Sequence, residues 1–498
     1  MSSRTNITLF GLLCSGLIQG CVDDAVVGTS GQITIDLPQT TLGAFAYDSS
    51  TAIADVNNDG TGDLIVWTNA SQPFDFEFEN GEVTLPPVGV FVFFGGEGHF
   101  EGQLGPADAD LTLTIPEAKF VGRVAAQDLD GDGIVDLIVH LVAEPSRHFW
   151  PMPVRSSVGP HGVDTGVYVV KGGSLPTGVH PLTAVAQHTP AYGFTSEYMV
   201  HSPHEFQDLD GVPGQEFLTE PYCLVDVGNT VIHVRDLETG ETRARLLAPE
   251  DTYLDVRGVL DHDGDGASDV AVLWTQTDGR NPNSVWSWNS LSIAIFYGPF
   301  EGDITVGDEG TMSVYLLGAA FFHTDMESLG PDGAARTVIG DFCGDATEDL
   351  LLTTAGSDVA PSTRRGVYCV PGGSRDAQEA LIAQRHGELR LDLQYPRWTV
   401  AARPAGADRT QLFVMGIDAF AFITPELGVI AGDLTMEEEV VNRAGLSYAM
   451  PQDSPLFTSL GGAMGDLDGD GVLDVALGTK ARELESESLV HVIYGFGG

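Results

Sequence analysis

The chain has 498 residues, with 71 acidic against 23 basic side chains and a formal net charge of −48 at pH 7. Such a polyanion repels nucleic acid and anionic lipid, so neither is expected as a partner. Apolar residues make up 43% of the chain, ample for a large core, while no internal stretch approaches the roughly 18 apolar residues of a membrane-spanning helix.

Arg4, the apolar run Leu9 to Ile18 and the tetrapeptide Ile18-Gln19-Gly20-Cys21 read as an export leader over residues 1–21, too short to span a bilayer. The tetrapeptide resembles a bacterial lipobox. That implies diacylation of Cys21 and an outer-membrane or cell-surface lipoprotein held by lipid alone; without use of the lipobox the chain is secreted. Residues 22–31 read as a tether and 32–498 as one repeat domain. Export permits disulfides. Cys343 and Cys369 fall in one repeat, where a bridge and two buried thiols are both open readings, and Cys223 stands apart.

After a strand at Ile33 to Leu37, the first motif is Asp55-Val56-Asn57-Asn58-Asp59-Gly60-Thr61-Gly62-Asp63, which runs into Leu64-Ile65-Val66. It has oxygen-bearing residues at positions 1, 3, 5 and 9 around a glycine at position 6. Copies start at Asp128 (with Asp130, Asp132 and Asp136), at Asp261 (with Asp263, Asp265 and Asp269) and at Asp466 (with Asp468, Asp470 and Asp474). Alternating oxygen ligands about a glycine turn suit Ca²⁺, which takes six to eight oxygens. An EF-hand opens in the same way but needs a glutamate at position 12 between helices. In the second loop that position is Val139, and the flanks read as strands.

Two further copies are worn. Asp208, Asp210 and Glu216 keep positions 1, 3 and 9, with Val212 at 5; Asp341, Asp345 and Asp349 keep 1, 5 and 9, with Cys343 at 3. A seventh place, Arg403 to Gln411, keeps the following strand but almost no ligands. Recurrence at this interval, with strands throughout, points to a propeller or an array.

The four full loops, together with Phe93-Phe94-Gly95-Gly96, Phe296-Tyr297-Gly298-Pro299 and Ile493-Tyr494-Gly495, resemble the FG-GAP repeats of integrin α-subunit heads and many bacterial surface proteins. The resemblance covers residues 32–498. It implies a monomeric seven-bladed β-propeller of four-stranded antiparallel blades, with structural Ca²⁺ at Asp55, Asn57, Asp59 and Asp63, at Asp128, Asp130, Asp132 and Asp136, at Asp261, Asp263, Asp265 and Asp269, and at Asp466, Asp468, Asp470 and Asp474. The first unit's opening strand is expected over Ala44 to Ala54 and the second unit's fourth strand near Leu182 to Ala186. The last unit lacks a fourth strand, and Ile33 to Leu37 is expected to supply it, closing the ring and removing two exposed edges.

In that arrangement the calcium loops share one face, and the connections between second and third strands leave from the other. Those connections are long and carry Phe74, Phe76, Phe78, His148, Phe149, Trp150, Trp286 and Trp288. Long loops on a rigid scaffold commonly carry function, and exposed aromatics anchor sugars or proteins, although aromatics folded back over the blades are equally a structural feature. The expected function is a surface interaction or adhesion module for an extracellular glycan or protein. The alternative is a lyase or hydrolase acting on extracellular polysaccharide, since similar calcium-loop propellers occur in some lyases. The dense carboxylate pairs sit in metal-loop register, His201 and His204 read as a loop feature, and the glycine pairs at 95–96, 172–173 and 372–373 read as turns.

Overall fold

The computed structural model describes residues 7–10, 26–27, 32–35, 39–45, 48–69, 89–96, 100, 104–115, 120–142, 166–190, 197–199, 206–212, 215–221, 231–249, 252–276, 291–308, 310–315, 336–341, 346–354, 366–370, 372–373, 398–402, 410–415, 419–423, 447–449, 459–479 and 488–494. These are short strands and their turns, with one brief 3₁₀ turn at Pro106–Asp108 and one helical turn at Leu182–Val185. None of the described helices is long and apolar enough to cross a membrane. The chain forms two compact units, one of Met1–His148, Val154–Ala191 and Tyr448–Gly498, the other of Phe149–Pro153 and Tyr192–Ser447.

Among the described residues five sheets have the four-stranded antiparallel meander of a propeller blade, so the fold is all-β and β-propeller-like. In the first unit, the first blade is Asp48–Ala54, Asp63–Asn69, Gly89–Phe93 and Leu111–Thr114, and the second is Phe120–Gln127, Asp136–Val142, Gly166–Val170 and Gln187–Pro190. The last blade is Ser459–Gly465, Asp474–Thr479 and Ser488–Ile493, completed by Gln39–Phe45. The second unit holds the third blade (Glu197–Met199, Glu216–Pro221, Val231–Asp236, Thr242–Leu247) and the fourth (Thr252–Leu260, Asp269–Gln276, Leu291–Phe296, Thr311–Tyr315). It also holds two three-stranded runs: Arg336–Gly340 with Asp349–Thr354 and Gly366–Val370, which is a sheet of its own, and Trp398–Ala402 with Gln411–Met415 and Ala419–Ile423, which belongs to a seven-stranded sheet.

The inner strands are apolar almost throughout because both of their faces are covered. All five residues of Gly89–Phe93 and of Gly166–Val170 are buried. Period-two alternation then distributes them: Val90 and Val92 pack with Leu137, Val139 and Tyr168 of the second blade, whereas Phe91 and Phe93 pack with Leu42, Val490 and Val492 of the last. Each side chain so buried contributes roughly 1.5–3 kcal/mol relative to exposure. The seams between blades therefore hold the apolar core, and the rims are left to polar residues.

A second device links neighbours. The connection between third and fourth strands reaches back and lays a parallel segment on the outer strand of the preceding blade. Gly178–Pro181 from the second blade pairs with Leu111–Thr114 of the first, and Gly302–Thr305 from the fourth pairs with Thr242–Leu247 of the third. Leu104 from the first blade bridges Leu42 of the last in the same parallel sense. These additions cover edges that otherwise present unpaired backbone groups.

Three expectations need correction. The strand that completes the last blade is Gln39–Phe45, not Ile33 to Leu37; Gln32–Ile35 instead pairs with Ile7–Phe10, inside the segment read as a leader. Leu42 explains the choice, since it is fully buried among last-blade and first-blade side chains. The first strand of the first blade accordingly starts at Asp48 rather than near Ala44. Leu182 to Ala186, expected to be the second blade's outer strand, opens with a helical turn, and the strand is Gln187–Pro190. Pro181 stands immediately before that turn and Leu182 is fully buried, so one apolar residue in this stretch is used by the turn rather than by a strand face. A prolyl φ suits a helix start.

Candidate metal centres

Each motif joins the first and second strands of its blade and folds through a recurring pattern of side-chain-to-backbone bonds, seen in full in the second and last loops. The position 1 carboxylate accepts from the amides at positions 4 and 6: Asp128 from Gly131 and Gly133, both at 2.8 Å, and Asp466 from Gly469 and Gly471 at 2.8 and 3.0 Å. Position 3 accepts from the amide at 5, as Asp468 does from Asp470 at 3.1 Å, and position 5 from the amide at 7, as Asp470 does from Val472 at 2.7 Å. Position 4 is left-handed in each of these loops (Asn58 φ 62°, Gly131 75°, Gly211 74°, Gly264 74°, Gly469 78°). That conformation is open to Gly and tolerated by Asn.

Position 9 has a different environment. Asp63, Asp269 and Asp474 are completely buried, as nearly are Asp136 and Glu216. One oxygen accepts the amide of position 2: Val56 to Asp63 at 2.9 Å, His262 to Asp269 at 2.9 Å, Leu467 to Asp474 at 2.8 Å. The other accepts the amide of the glycine just after the third strand: Gly95 to Asp63 at 2.9 Å, Gly172 to Asp136 at 3.0 Å, Gly298 to Asp269 at 3.0 Å, Gly372 to Asp349 at 2.8 Å. A Cβ at Gly95, Gly172 or Gly298 would run into the position 8 carbonyl of Gly62, Val135 or Ser268. The recurring glycine pairs are thus a docking point for the loop, more than turn formers.

The same turns reach the preceding blade. The amide of Gly96 donates to Leu467 O at 3.3 Å, Gly173 to Val56 O at 2.9 Å, Phe300 to Leu209 O at 2.8 Å and Gly373 to His262 O at 2.7 Å, in every case a position 2 carbonyl. Thr410, at position 8 of the ligand-poor seventh place, donates to Asp341 O at 3.1 Å just as Gly62 does to Asp466 O at 2.8 Å. That stretch keeps the repeat's register without its ligands.

Burial governs the electrostatics. It pushes the carboxyl of Asp63 up to about 6 and those of Asp269 and Glu216 to about 7, against the lowering effect of the amides they accept. Neighbouring loop carboxylates add to the rise: Asp59 beside Asp63, Asp263 and Asp265 beside Asp269, Asp210 and Asp208 beside Glu216. A cation at the loop would relieve both.

The structure brings together oxygens of Asp261, Asp263 and Asp265, and of Asp466, Asp468 and Asp474, each set within 4.8 Å of one another. Asp470 stands outside the second set, at the rim, where it accepts the amide of Val472, and Asp269 lies outside the first, beneath it, where it accepts the amide of His262. Asp128, Asp130 and Asp132 converge similarly, with Asp136 beneath. In the first loop Asn57 donates to Asp59 at 2.9 Å, and Asp55 accepts from Asp59 and Gly60. Asp208, Asp210 and Glu216 also converge within 4.8 Å despite Val212, which points away into solvent at 58% exposure. Asp345 and Cys343 lie outside the described residues, as do Cys21, Cys223, His201, His204, Trp150, Trp286, Trp288, Phe74, Phe76, Phe78, His148 and Phe149.

Two basic residues escaped sequence reading. Lys171 donates from Nζ to Asp130 Oδ2 at 2.8 Å and to Asp136 Oδ2 at 2.9 Å, holding the Asp130 carboxyl below its usual range. Arg243 donates to Asp236 at 2.6 Å and stands 3.9 Å from Asp210 of the third loop. The all-oxygen loops suit a hard cation.

No family model matches the chain, and no curated protein does. Among solved structures it is similar to BBS1N in complex with ARL6DN (8% identity over 93% of this chain and 98% of that one, TM-score 0.40). It is also similar to the exotype rhamnogalacturonan lyase YesX (10% identity, 94% and 74%, TM-score 0.35) and to rhamnogalacturonan lyase PL11 of Bacillus licheniformis (10% identity, 98% and 75%, TM-score 0.34). At these scores the likenesses carry no argument about chemistry, and the propeller description rests on the strand topology above.

Proposed function

We propose that the chain is an exported, calcium-stabilised propeller of seven FG-GAP-like blades that serves as a surface interaction module for a glycan or protein ligand. The observation that carries this reading is the polarity of each blade. Every metal loop joins first to second strands at one end, and neighbouring loops are cross-linked there by Gly96, Gly173, Phe300 and Gly373. The connections between second and third strands leave from the opposite ends, after Asn69, Val142 and Gln276. Within each unit one set of strand ends thus holds neighbouring blades together, and the long connections belong to the other set. The two three-stranded runs supply the fifth and sixth blades, with the register bond from Thr410 to Asp341 in support. Ca²⁺ would be held by Asp55, Asn57, Asp59 and Asp63, by Asp261, Asp263, Asp265 and Asp269, and by Asp466, Asp468, Asp470 and Asp474. It would neutralise the buried carboxylates and stabilise the folded state by mass action. Attachment through Cys21 would place the protein on an outer membrane or cell surface.

The test is to incubate the protein with a panel of extracellular polysaccharides, in Ca²⁺ or in EGTA, assaying both retention and new chain ends. Calcium-dependent retention without cleavage is the expected result. New chain ends would make it a lyase or hydrolase instead, and neither outcome would remove carbohydrate and leave a protein ligand.

A further inference from the structure

We infer that Lys171 is a tethered counter-ion that takes the place of the divalent cation in the second loop, so that this loop, whose ligand pattern in sequence is complete, is clipped from within. The inference rests on the calcium reading of the other loops and singles out one of them.

Lys171 follows the third strand Gly166–Val170 and precedes the docking glycine Gly172. At the corresponding position, before the glycine that bonds the position 9 carboxylate, the first blade has Phe94 and the fourth has Tyr297. The backbone bond from Gly172 to Asp136 holds this position over the loop whatever its side chain is. In the second blade that side chain is an ammonium, in a chain whose only lysines are Lys119, Lys171 and Lys480. It lands on positions 3 and 9 together, bridging a rim carboxylate that is half exposed and a base carboxylate that is buried.

Those contacts use the groups a metal would need. Asp136 Oδ1 already accepts from Gly172, and its Oδ2 accepts from both Leu129 at 3.3 Å and Lys171 at 2.9 Å. Asp130 Oδ1 accepts from Asp132 at 3.3 Å and its Oδ2 from Lys171. Charge-assisted bonds of this length are among the stronger ones a protein makes. A divalent ion coordinated by the same two carboxylates would sit against a like charge tethered by the backbone. A lysine presents a compact point charge with three donors on a flexible stem, which is the chemistry required to replace an ion held by oxygens alone. The third loop shows a weaker version, with Arg243 at 3.9 Å from Asp210.

The test counts Ca²⁺ bound per molecule, by equilibrium dialysis with elemental analysis, for the full chain and three variants, each checked by circular dichroism. Lys171→Met frees the loop and is expected to bind one more Ca²⁺ than the parent. Lys171→Arg keeps a cation there and is expected to bind the parental number. Asp132→Asn removes a rim ligand that Lys171 does not touch and is expected to leave the parental number unchanged. An unchanged count in Lys171→Met, or the loss of one ion in Asp132→Asn, overturns the inference. A parental count of zero would instead sink the calcium reading of the other loops, and Lys171→Met would still report on the second.

Discussion

The amide of Gly173 donates to the carbonyl of Val56 at 2.9 Å, tying the turn after one blade's third strand to the metal loop of the blade before it. Because Gly172 beside it bonds Asp136 at 3.0 Å, two consecutive amides serve two different loops. The same paired use occurs at Gly95 with Gly96 and at Gly372 with Gly373. Loop order and blade adjacency are therefore one property, and disturbing a loop is expected to loosen a seam as well as a hairpin.

Replacing a position 9 carboxylate tests that coupling. Asp474→Ala strands the buried amide of Leu467, and leaving a buried donor unsatisfied costs about 1–3 kcal/mol before any metal is lost. Asp470→Ala, at the exposed rim, removes only an acceptor for Val472 and is expected to cost less in EGTA. Urea unfolding of both variants in EGTA checks the difference, and equal losses would contradict a scaffold role for position 9.

The docking glycines predict a steric signature. Gly298→Ala drives a methyl into the Ser268 carbonyl, and a forced backbone shift of this kind costs on the order of 1–3 kcal/mol. Gly471→Ala meets nothing within 4 Å and suffers only from its φ of 84°, a cost of roughly 1 kcal/mol. Thermal melts should rank Gly298→Ala below Gly471→Ala.

The buried carboxyls set the pH dependence of the calcium-free protein. Asp63, Asp269 and Glu216 have folded values of about 6, 7 and 7, above the ordinary carboxylate range. The folded state therefore binds more protons than the unfolded chain between about pH 4 and pH 7, and stability falls as pH rises through that window. In EGTA the melting temperature is expected to be higher at pH 5.5 than at pH 8, by several degrees for a combined effect of about a few kcal/mol. Saturating Ca²⁺ should flatten or reverse this slope, since it stabilises the ionised form. A rising melting temperature from pH 5.5 to pH 8 in EGTA would contradict it.

Closure of the last blade depends on Leu42. Leu42→Ala removes a fully buried side chain from the seam between last and first blades, and such truncations cost about 2–5 kcal/mol. Tyr494→Phe, which deprives the Phe100 amide of its acceptor at 2.9 Å in the same seam, is expected to cost about 1 kcal/mol. Both effects should appear in thermal unfolding of the full chain; an indifferent Leu42→Ala would mean that Gln39–Phe45 does not close the sheet.

Much of this architecture is legible in the sequence because the loops are local. Asp55 to Asp63 and its copies carry ligand, turn and following strand within a dozen residues, and the bonds that shape them stay inside that window. What escaped reading depends on residues distant in the chain. Gln39–Phe45 and Ile33 to Leu37 are both plausible edge strands, and only the burial of Leu42 against Val490 and Phe91 distinguishes them. Val212 made the third loop look incomplete, although Glu216 has the reach to join Asp208 and Asp210. Lys171 lies far along the chain from Asp130, yet a signal existed: a lysine where other repeats place Phe94 or Tyr297, in a chain with so few lysines.

The most direct measurement is the melting temperature of the full chain at pH 8 with saturating Ca²⁺ and again with excess EGTA. Metal-clipped blades predict a lower melting temperature in EGTA, restored when Ca²⁺ is added back. An identical melting temperature in both conditions would contradict the account, leaving the acidic loops as hairpin turns held by their own backbone amides.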